Sequence, residues 1–254
     1  MNYLQAIILA IIEGLTEFLP VSSTGHMIIG TALMNMEPTP FVKLFTIVIQ
    51  LGTILSVLVL YFKRFFKSLN FYYKLVVAAV PASILGLVLN DFIDSLLESP
   101  LMVAVMLVVG GIILLFVDKW FNKPTIENSD DISYKQSFII GLYQCLALIP
   151  GTSRSASTIV GGMTQSLTRK AAAEFSFFLA IPTLSAAAAY KLLKNWDQLS
   201  ASNLSDIAIG NAISFITAAF AVKFFIGMVK SRGFSFFGYY RIIIGTIFLI
   251  TLYL

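Results

Sequence analysis

The chain has 254 residues, of which 58% are hydrophobic and only 12% charged, and its mean hydropathy is +0.88. That balance excludes an ordinary soluble domain, and the net charge of +4 fits cationic loops beside a membrane and calls for no nucleic acid. One cysteine, Cys145, excludes an intrachain disulfide framework and a cysteine-based zinc site.

Met1–Glu13 has neither a basic start nor a small-residue cleavage pattern, so it is expected to be retained. Residues 3–36 form an apolar segment broken in the middle by Pro20-Val21-Ser22-Ser23-Thr24. Each limb of about 16 residues makes roughly 24 Å of helix, short of the ~30 Å of hydrocarbon. The segment therefore predicts a re-entrant helix–turn–helix whose tip stops inside the bilayer. Apolar runs at 44–62, 75–90 and 99–117 then predict three full spans, and the polar stretch Asn122–Lys135 a linker. After it comes a second Pro-broken segment around Pro150, followed by runs at 175–190, 207–222 and 234–254, the last interrupted by Arg241. The expected architecture is an all-α polytopic membrane protein with six full transmembrane helices and two re-entrant segments, forming one integral membrane domain.

The two halves resemble each other. Pro20–Ser23 aligns with Pro150–Ser153, and the same offset lays "FTIVIQLGT" (Phe45–Thr53) over "FSFFLAIPT" (Phe175–Thr183). Gly14–Glu17 matches Gly141–Gln144, and "GGIILL" from Gly110 matches "GTIFLI" from Gly245. We read repeat one as about 1–121, the linker as about 122–135 and repeat two as about 136–254. A re-entrant segment returns to its starting side, and three crossings are odd in number, so the second repeat is expected upside down relative to the first. Lys63, Arg64, Lys67, Lys74, Lys119, Lys123, Lys135, Arg169, Lys170, Lys230 and Arg232 fall on one side, whereas Lys43, Lys191 and Lys194 share the other with the acidic loop Asp91, Asp94 and Glu98. The positive-inside rule makes the first side cytoplasmic and puts both termini outside.

Polarity concentrates in "EGLTEFLPVSSTGH", Glu13–His26, and in "PGTSRSAST", Pro150–Thr158. Glu13 and Glu17 are four apart on one helical face, and two carboxylates in a low-dielectric site must share a proton or a cation. Ser22, Ser23 and Thr24 open the second limb, where free N–H groups and hydroxyls can hold an anion. A plain N-cap would use the same letters. His26, three positions beyond Ser23, can bring imidazole and hydroxyl onto one face. The second stretch offers Gly151, Ser153, Ser155 and Thr158 around Arg154, whose planar fork suits a phosphate and cannot shed its charge. Arg154 could equally pair with Glu13 or Glu17. Glu174 reads as an interfacial cap or a supporting residue, and Arg241 needs a carboxylate or backbone partner. No Walker motif, dinucleotide glycine fingerprint or HExxH is present.

These two stretches, together with "VIQLGTILSV" and "AAEFSFFLAIP", closely resemble the signature regions of the bacterial undecaprenyl-pyrophosphate phosphatases, the bacitracin-resistance family. The likeness runs essentially end to end. It implies a polytopic inverted-repeat fold, a homodimer in the cell membrane, and conversion of undecaprenyl pyrophosphate to the monophosphate carrier of peptidoglycan synthesis. It places catalysis on Glu13, Glu17, Ser23, His26, Ser153, Arg154 and Thr158, and it implies a divalent cation, Mg²⁺ or Ca²⁺, which Glu13 and Glu17 would share with the substrate phosphates. The expected chemistry has Ser23 as nucleophile, His26 as general base and Glu17 orienting it or holding the cation, with Arg154 stabilising the phosphates. A phosphohistidine at His26, or direct attack by water, would use the same residues. Inverted repeats with broken helices also mark transporters, so a prenyl-phosphate flippase is the alternative function. A serine hydrolase acting on peptides fits less well, because Arg154 suits an anion better than an amide.

Overall fold

In hydrocarbon every backbone N–H and C=O must be satisfied within the chain, so apolar runs of this length fold as helices. The computed structural model describes residues 1–66, 69–97, 99–199 and 201–253. Lys67 and Glu98, counted above, lie outside the described residues. The first half of the chain comprises α1 (Tyr3–Thr16), α2 (Ser23–Leu33), α3 (Pro40–Val48), α4 (Gln50–Leu60), α5 (Leu69–Val88), α6 (Asn90–Leu97) and α7 (Pro100–Trp120). The second half comprises α8 (Tyr134–Gln144), α9 (Arg154–Thr164), α10 (Arg169–Lys194), α11 (Ala201–Arg232) and α12 (Ser235–Thr251).

Among the described residues, five helical segments are long and apolar enough to cross a membrane: Pro40–Leu60, Leu69–Val88, Pro100–Trp120, Arg169–Lys194 and Asn203–Val229. The sequence suggested six. The last apolar run yields α12, whose 17 residues sit at the short end of the roughly 17–25 a crossing needs. The two broken segments form pairs of short helices: α1 and α2 have 14 and 11 residues, and α8 and α9 have 11 each. The acidic loop is a short helix instead, α6, whose Asp94 and Asp91 hold Lys191 (2.8 Å) and Lys194 (3.7 Å) at the end of α10.

Four pairings dominate the packing: α7 against α12, α1 against α11, α4 against α11, and α5 against α8. The crossings of α1 with α11 and of α8 with α5 are close. A Cβ on Gly14 of α1 would lie 2.6 Å from Ser214 O of α11, and one on Gly141 of α8 would lie 2.4 Å from Ala78 O of α5. Only glycine allows these backbones to approach so nearly. The first span is interrupted at Ile49, between α3 and α4. Polar side chains of α11 serve the groups this interruption frees: Ser214 Oγ donates to Ile49 O (2.7 Å), and Gly52 N–H donates to Asn211 Oδ1 (2.7 Å).

The linker is fastened to the body rather than loose. Arg64 donates to Asp130 (2.9 Å), Ser129 (2.5 Å) and Glu174 (2.7 Å), and Lys74 Nζ donates to Asp130 O (2.7 Å). Arg169 pairs with Asp118 (2.6 Å), whose other oxygen accepts the N–H of Phe234 (2.7 Å). Glu174, which also faces Lys170 at 3.6 Å, thus belongs to this ionic layer at the start of α10. The Lys191–Asp94 pair lies at the other end of the same helix.

Candidate active site

Two chain breaks build the site. After α1 the chain turns through Phe18–Val21 and restarts at α2, and after α8 it turns through a 3₁₀ stretch, Cys145–Leu148, and restarts at α9. Each restart is capped by a serine with positive φ. Ser22 (φ 69°) accepts from Gly25 N, and Ser153 (φ 78°) accepts from Ala156 N. A left-handed non-glycine residue costs on the order of 1–3 kcal/mol and persists only where its surroundings over-determine it. These two caps stand one residue off the alignment read from sequence, which sets Ser23 against Ser153. Ser22 corresponds to Ser153, so the first helical residues, Ser23 and Arg154, occupy equivalent places.

Those two residues meet across the breaks through Glu17. Glu17 Oε1 accepts from Arg154 Nη2 (2.7 Å), and Oε2 accepts from Ser23 Oγ (2.5 Å). Glu17 is 5% exposed, Ser23 6% and Glu13 1%, so the cluster is shielded from bulk water. The pairing of Arg154 with Glu17 takes up one of the possibilities read from sequence. Arg154 Nη1 donates to Ser176 O (2.8 Å) and Ser176 Oγ (3.2 Å), and the guanidinium carbon stands 5.8 Å from the Phe18 ring centroid. Its Nε has no hydrogen-bond partner among the described residues, and neither do Glu13 Oε1 and Thr152 Oγ1, all three buried. Three orphaned polar atoms beside an Arg–Glu–Ser constellation are what a site for a polar ligand leaves behind.

The expected Ser23–His26 hydrogen bond is absent. His26 Nδ1 lies 2.8 Å from Ser22 O and Nε2 lies 2.7 Å from Tyr240 Oη, with the two rings parallel. A carbonyl can only accept, so Nδ1 carries a proton, and Nε2 faces a tyrosine hydroxyl that donates to it when the ring is neutral. Helical side chains lean back toward the preceding turn, which carries the imidazole to Ser22 and away from Ser23.

Several expected phosphate ligands are engaged elsewhere. Ser155 Oγ donates to Leu19 O (2.6 Å) and joins the two turns. Thr158 Oγ1 donates to Ser176 Oγ (2.7 Å) and lies within reach of Arg154 O (2.9 Å), so it supports Arg154 from behind. Gly151 (φ +89°) closes the turn against α7, where a Cβ would come 2.5 Å from Val103 O. Ser22 is spent on its cap, Ser153 likewise, and Thr24 stands half-buried on the first turn of α2. Ser176 and Tyr240 were not read from sequence. Ser176 lies 22 residues from Arg154, and Tyr240 lies 214 from His26, so no local spacing signals either contact.

Glu13 and Glu17 stand four residues apart and are both buried, and two carboxylates so placed share a proton or a cation. Among the described residues no group of three His, Cys, Asp or Glu side chains converges on one point. A carboxylate pair with one orphaned oxygen fits a hard divalent cation that draws its remaining ligands from water and phosphate oxygens, a common arrangement for Mg²⁺.

The family model described as bacitracin resistance protein BacA matches residues 6–247. A protein of Flavobacterium johnsoniae called undecaprenyl-diphosphatase is 58% identical, the match covering 98% of this chain and 96% of that one. Proteins of the same name from Bdellovibrio bacteriovorus and Aquifex aeolicus are 50% and 44% identical, covering 100% and 96% of this chain and 97% and 96% of theirs.

Proposed function

The chain belongs to the bacitracin resistance protein BacA family, and on that premise we propose that it is an undecaprenyl-diphosphatase. It hydrolyses undecaprenyl pyrophosphate to undecaprenyl phosphate and phosphate, an activity that returns the lipid carrier to peptidoglycan synthesis and confers bacitracin resistance. The observation that carries this reading is the meeting of Ser23, Glu17 and Arg154 at two helix starts within a membrane-embedded fold. A hydroxyl nucleophile, a carboxylate base and a guanidinium together suit the transfer of a phosphoryl group.

We assign Ser23 as the nucleophile. Its Oγ attacks the terminal phosphorus, the new Oγ–P bond forms, and the bond to the bridging oxygen breaks, releasing undecaprenyl phosphate. Glu17 takes the hydroxyl proton and passes it to the departing phosphate. It then takes a proton from the attacking water and returns it to Ser23 as orthophosphate leaves. Glu17 replaces His26 as the base because Ser23 already donates to it. His26 instead fixes the carbonyl of the Ser22 cap. Arg154, with its free Nε, bears the charge that shifts toward the bridging oxygen. A divalent cation held by Glu13, Glu17 and substrate phosphates would supply further charge neutralisation.

The same reading includes two inverted repeats, with six crossings and two re-entrant segments, both termini on the outer side and a homodimer. The exchanged pairings of α1 with α11 and α5 with α8, and the matched Ser22 and Ser153 caps, support the repeats.

The test is phosphate release from prenyl diphosphates of several chain lengths in detergent micelles, with and without chelator. Failure of the purified protein to release phosphate would refute the assignment. Vectorial lipid movement without hydrolysis would favour the flippase instead. Trapped radiolabelled phosphate distinguishes the chemistry: an acid-stable adduct lost in Ser23→Ala supports Ser23, an acid-labile one assigns His26, and none at all assigns water.

A further inference from the structure

Arg241 of α12 is 0% exposed, yet every partner of its guanidinium is a backbone carbonyl. Nη1 donates to Pro20 O (3.2 Å) and Thr152 O (3.0 Å). Nη2 donates to Gly151 O (2.8 Å) and Met106 O (3.0 Å), and Nε to Leu107 O (3.3 Å). A guanidinium has five N–H donors in a rigid plane, and this one places all five. Such use of a buried cation is costly unless the acceptors themselves need donors. Here they do. Pro20, Gly151 and Thr152 lie in the two turns, outside any helix, where their carbonyls have no ladder partner.

The sequence positions make the arrangement functional as well as structural. Pro20 stands three residues before Ser23, and Thr152 stands two before Arg154. One side chain therefore grips both breaks just upstream of the residues that must meet at Glu17, and it ties both to α7. Space for it is reserved at Gly110, where a Cβ would lie 2.2 Å from Nη2.

We propose that Arg241 is the positioning residue of the site, a clamp that sets the mutual register of the two turns and so assembles the Ser23–Glu17–Arg154 constellation. Arg241 contacts no reacting atom. The proposal rests on the phosphatase reading only for its kinetic consequence.

The test compares the full-length protein in detergent with Arg241→Lys and Arg241→Met, using hydrogen–deuterium exchange and steady-state kinetics. A lysine has three N–H donors on one atom and cannot span carbonyls from three segments. Both variants should exchange faster in residues 17–24 and in residues 149–156 together. Misplacement of reacting groups by ~1 Å costs about 10²-fold in rate, so kcat should fall by about that factor with KM changed far less. Faster exchange confined to α7 and α12 would overturn the clamp, as would near-normal kcat in a folded variant or a change in KM alone. Should Arg241→Met not fold, Gly110→Ala keeps the cation and displaces it. It should loosen both turns and lower kcat, and quiet turns with normal turnover would again overturn the proposal. The exchange measurement needs no substrate, so the two readings fail separately. If the unmodified protein releases no phosphate but the turns loosen together, the phosphatase reading falls and the clamp stands. If the protein is active and the turns stay quiet, the clamp alone falls.

Discussion

Glu17→Gln is the substitution that tests the site most sharply, because it removes charge and basicity while keeping shape. The carboxylate now accepts one hydrogen bond from Arg154 at 2.7 Å and one from Ser23 at 2.5 Å, in a side chain only 4% exposed. An amide has one acceptor end. If its oxygen faces Arg154, its NH₂ faces Ser23, and the serine hydroxyl loses its acceptor. If it faces Ser23, NH₂ meets guanidinium, donor against donor. Either way a charge-assisted hydrogen bond worth about 1.5–3 kcal/mol is lost. A general base contributes about 10²–10⁴-fold to turnover, so kcat should fall by about 10³-fold, with a smaller change in KM because Arg154 remains. Phosphate release in micelles over a range of substrate concentrations gives both constants, and thermal unfolding in the same detergent reports whether the fold survives. The reasoning fails if a folded Glu17→Gln protein keeps more than about a tenth of its kcat while His26→Gln is inert, since removing a base costs at least about 10²-fold. That pattern would return the base to His26.

Three further outcomes are expected. Arg154→Lys should lower kcat by roughly 10²-fold, because one ammonium cannot reach Glu17, Ser176 and a phosphate together, and near-normal turnover would mark the arginine as scaffold. Tyr240→Phe leaves His26 Nε2 without its 2.7 Å partner, so thermal stability should drop by about 0.5–1.5 kcal/mol and kcat far less than in Glu17→Gln; an equal kcat loss would make Tyr240 part of the chemistry. Glu13→Gln should raise the Mg²⁺ or Ca²⁺ concentration needed for half-maximal activity, and an unchanged cation titration would remove Glu13 from the cation site.

The sequence reveals spans and breaks because both follow from run length and from proline, which are local properties. Leu69–Val88 and Pro100–Trp120 fall where the hydropathy places them. The apposition of Glu17 with Arg154 is also legible, since an intramembrane arginine needs a counter-charge and two glutamates are at hand. The wiring is not legible, and the reason is geometric. Spacing of three suggests that Ser23 and His26 are neighbours, but Ser23 is the first helical residue and its short side chain faces back across the turn to Glu17, while the imidazole leans to Ser22 O. Thr158 and Ser155 read as phosphate ligands because hydroxyls after a glycine turn suit anions. Only the fold reveals that Leu19 O and Ser176 Oγ claim them first. Arg241 needed a partner of some kind, and the sequence could not tell that the partners are five carbonyls from three segments.

The proposed duplication would naturally give two equivalent sites, and the side chains explain why the proposed chemistry has only one. Equivalent helix starts carry Ser23 in one repeat and Arg154 in the other, so each half supplies what the other lacks. The position matching Glu17 holds Gln144, which is 1% exposed, accepts from Thr183 Oγ1 at 3.2 Å and donates to Ala78 O at 3.4 Å. A carboxylate there would face the Ala78 carbonyl, acceptor against acceptor, with no guanidinium among its hydrogen-bond partners to offset the buried charge. An amide suits both neighbours at once. Divergence at two matched pairs, Glu17 with Gln144 and Ser23 with Arg154, thus turns two like halves into one centre: the first half donates the electrons and the second holds the charge they displace.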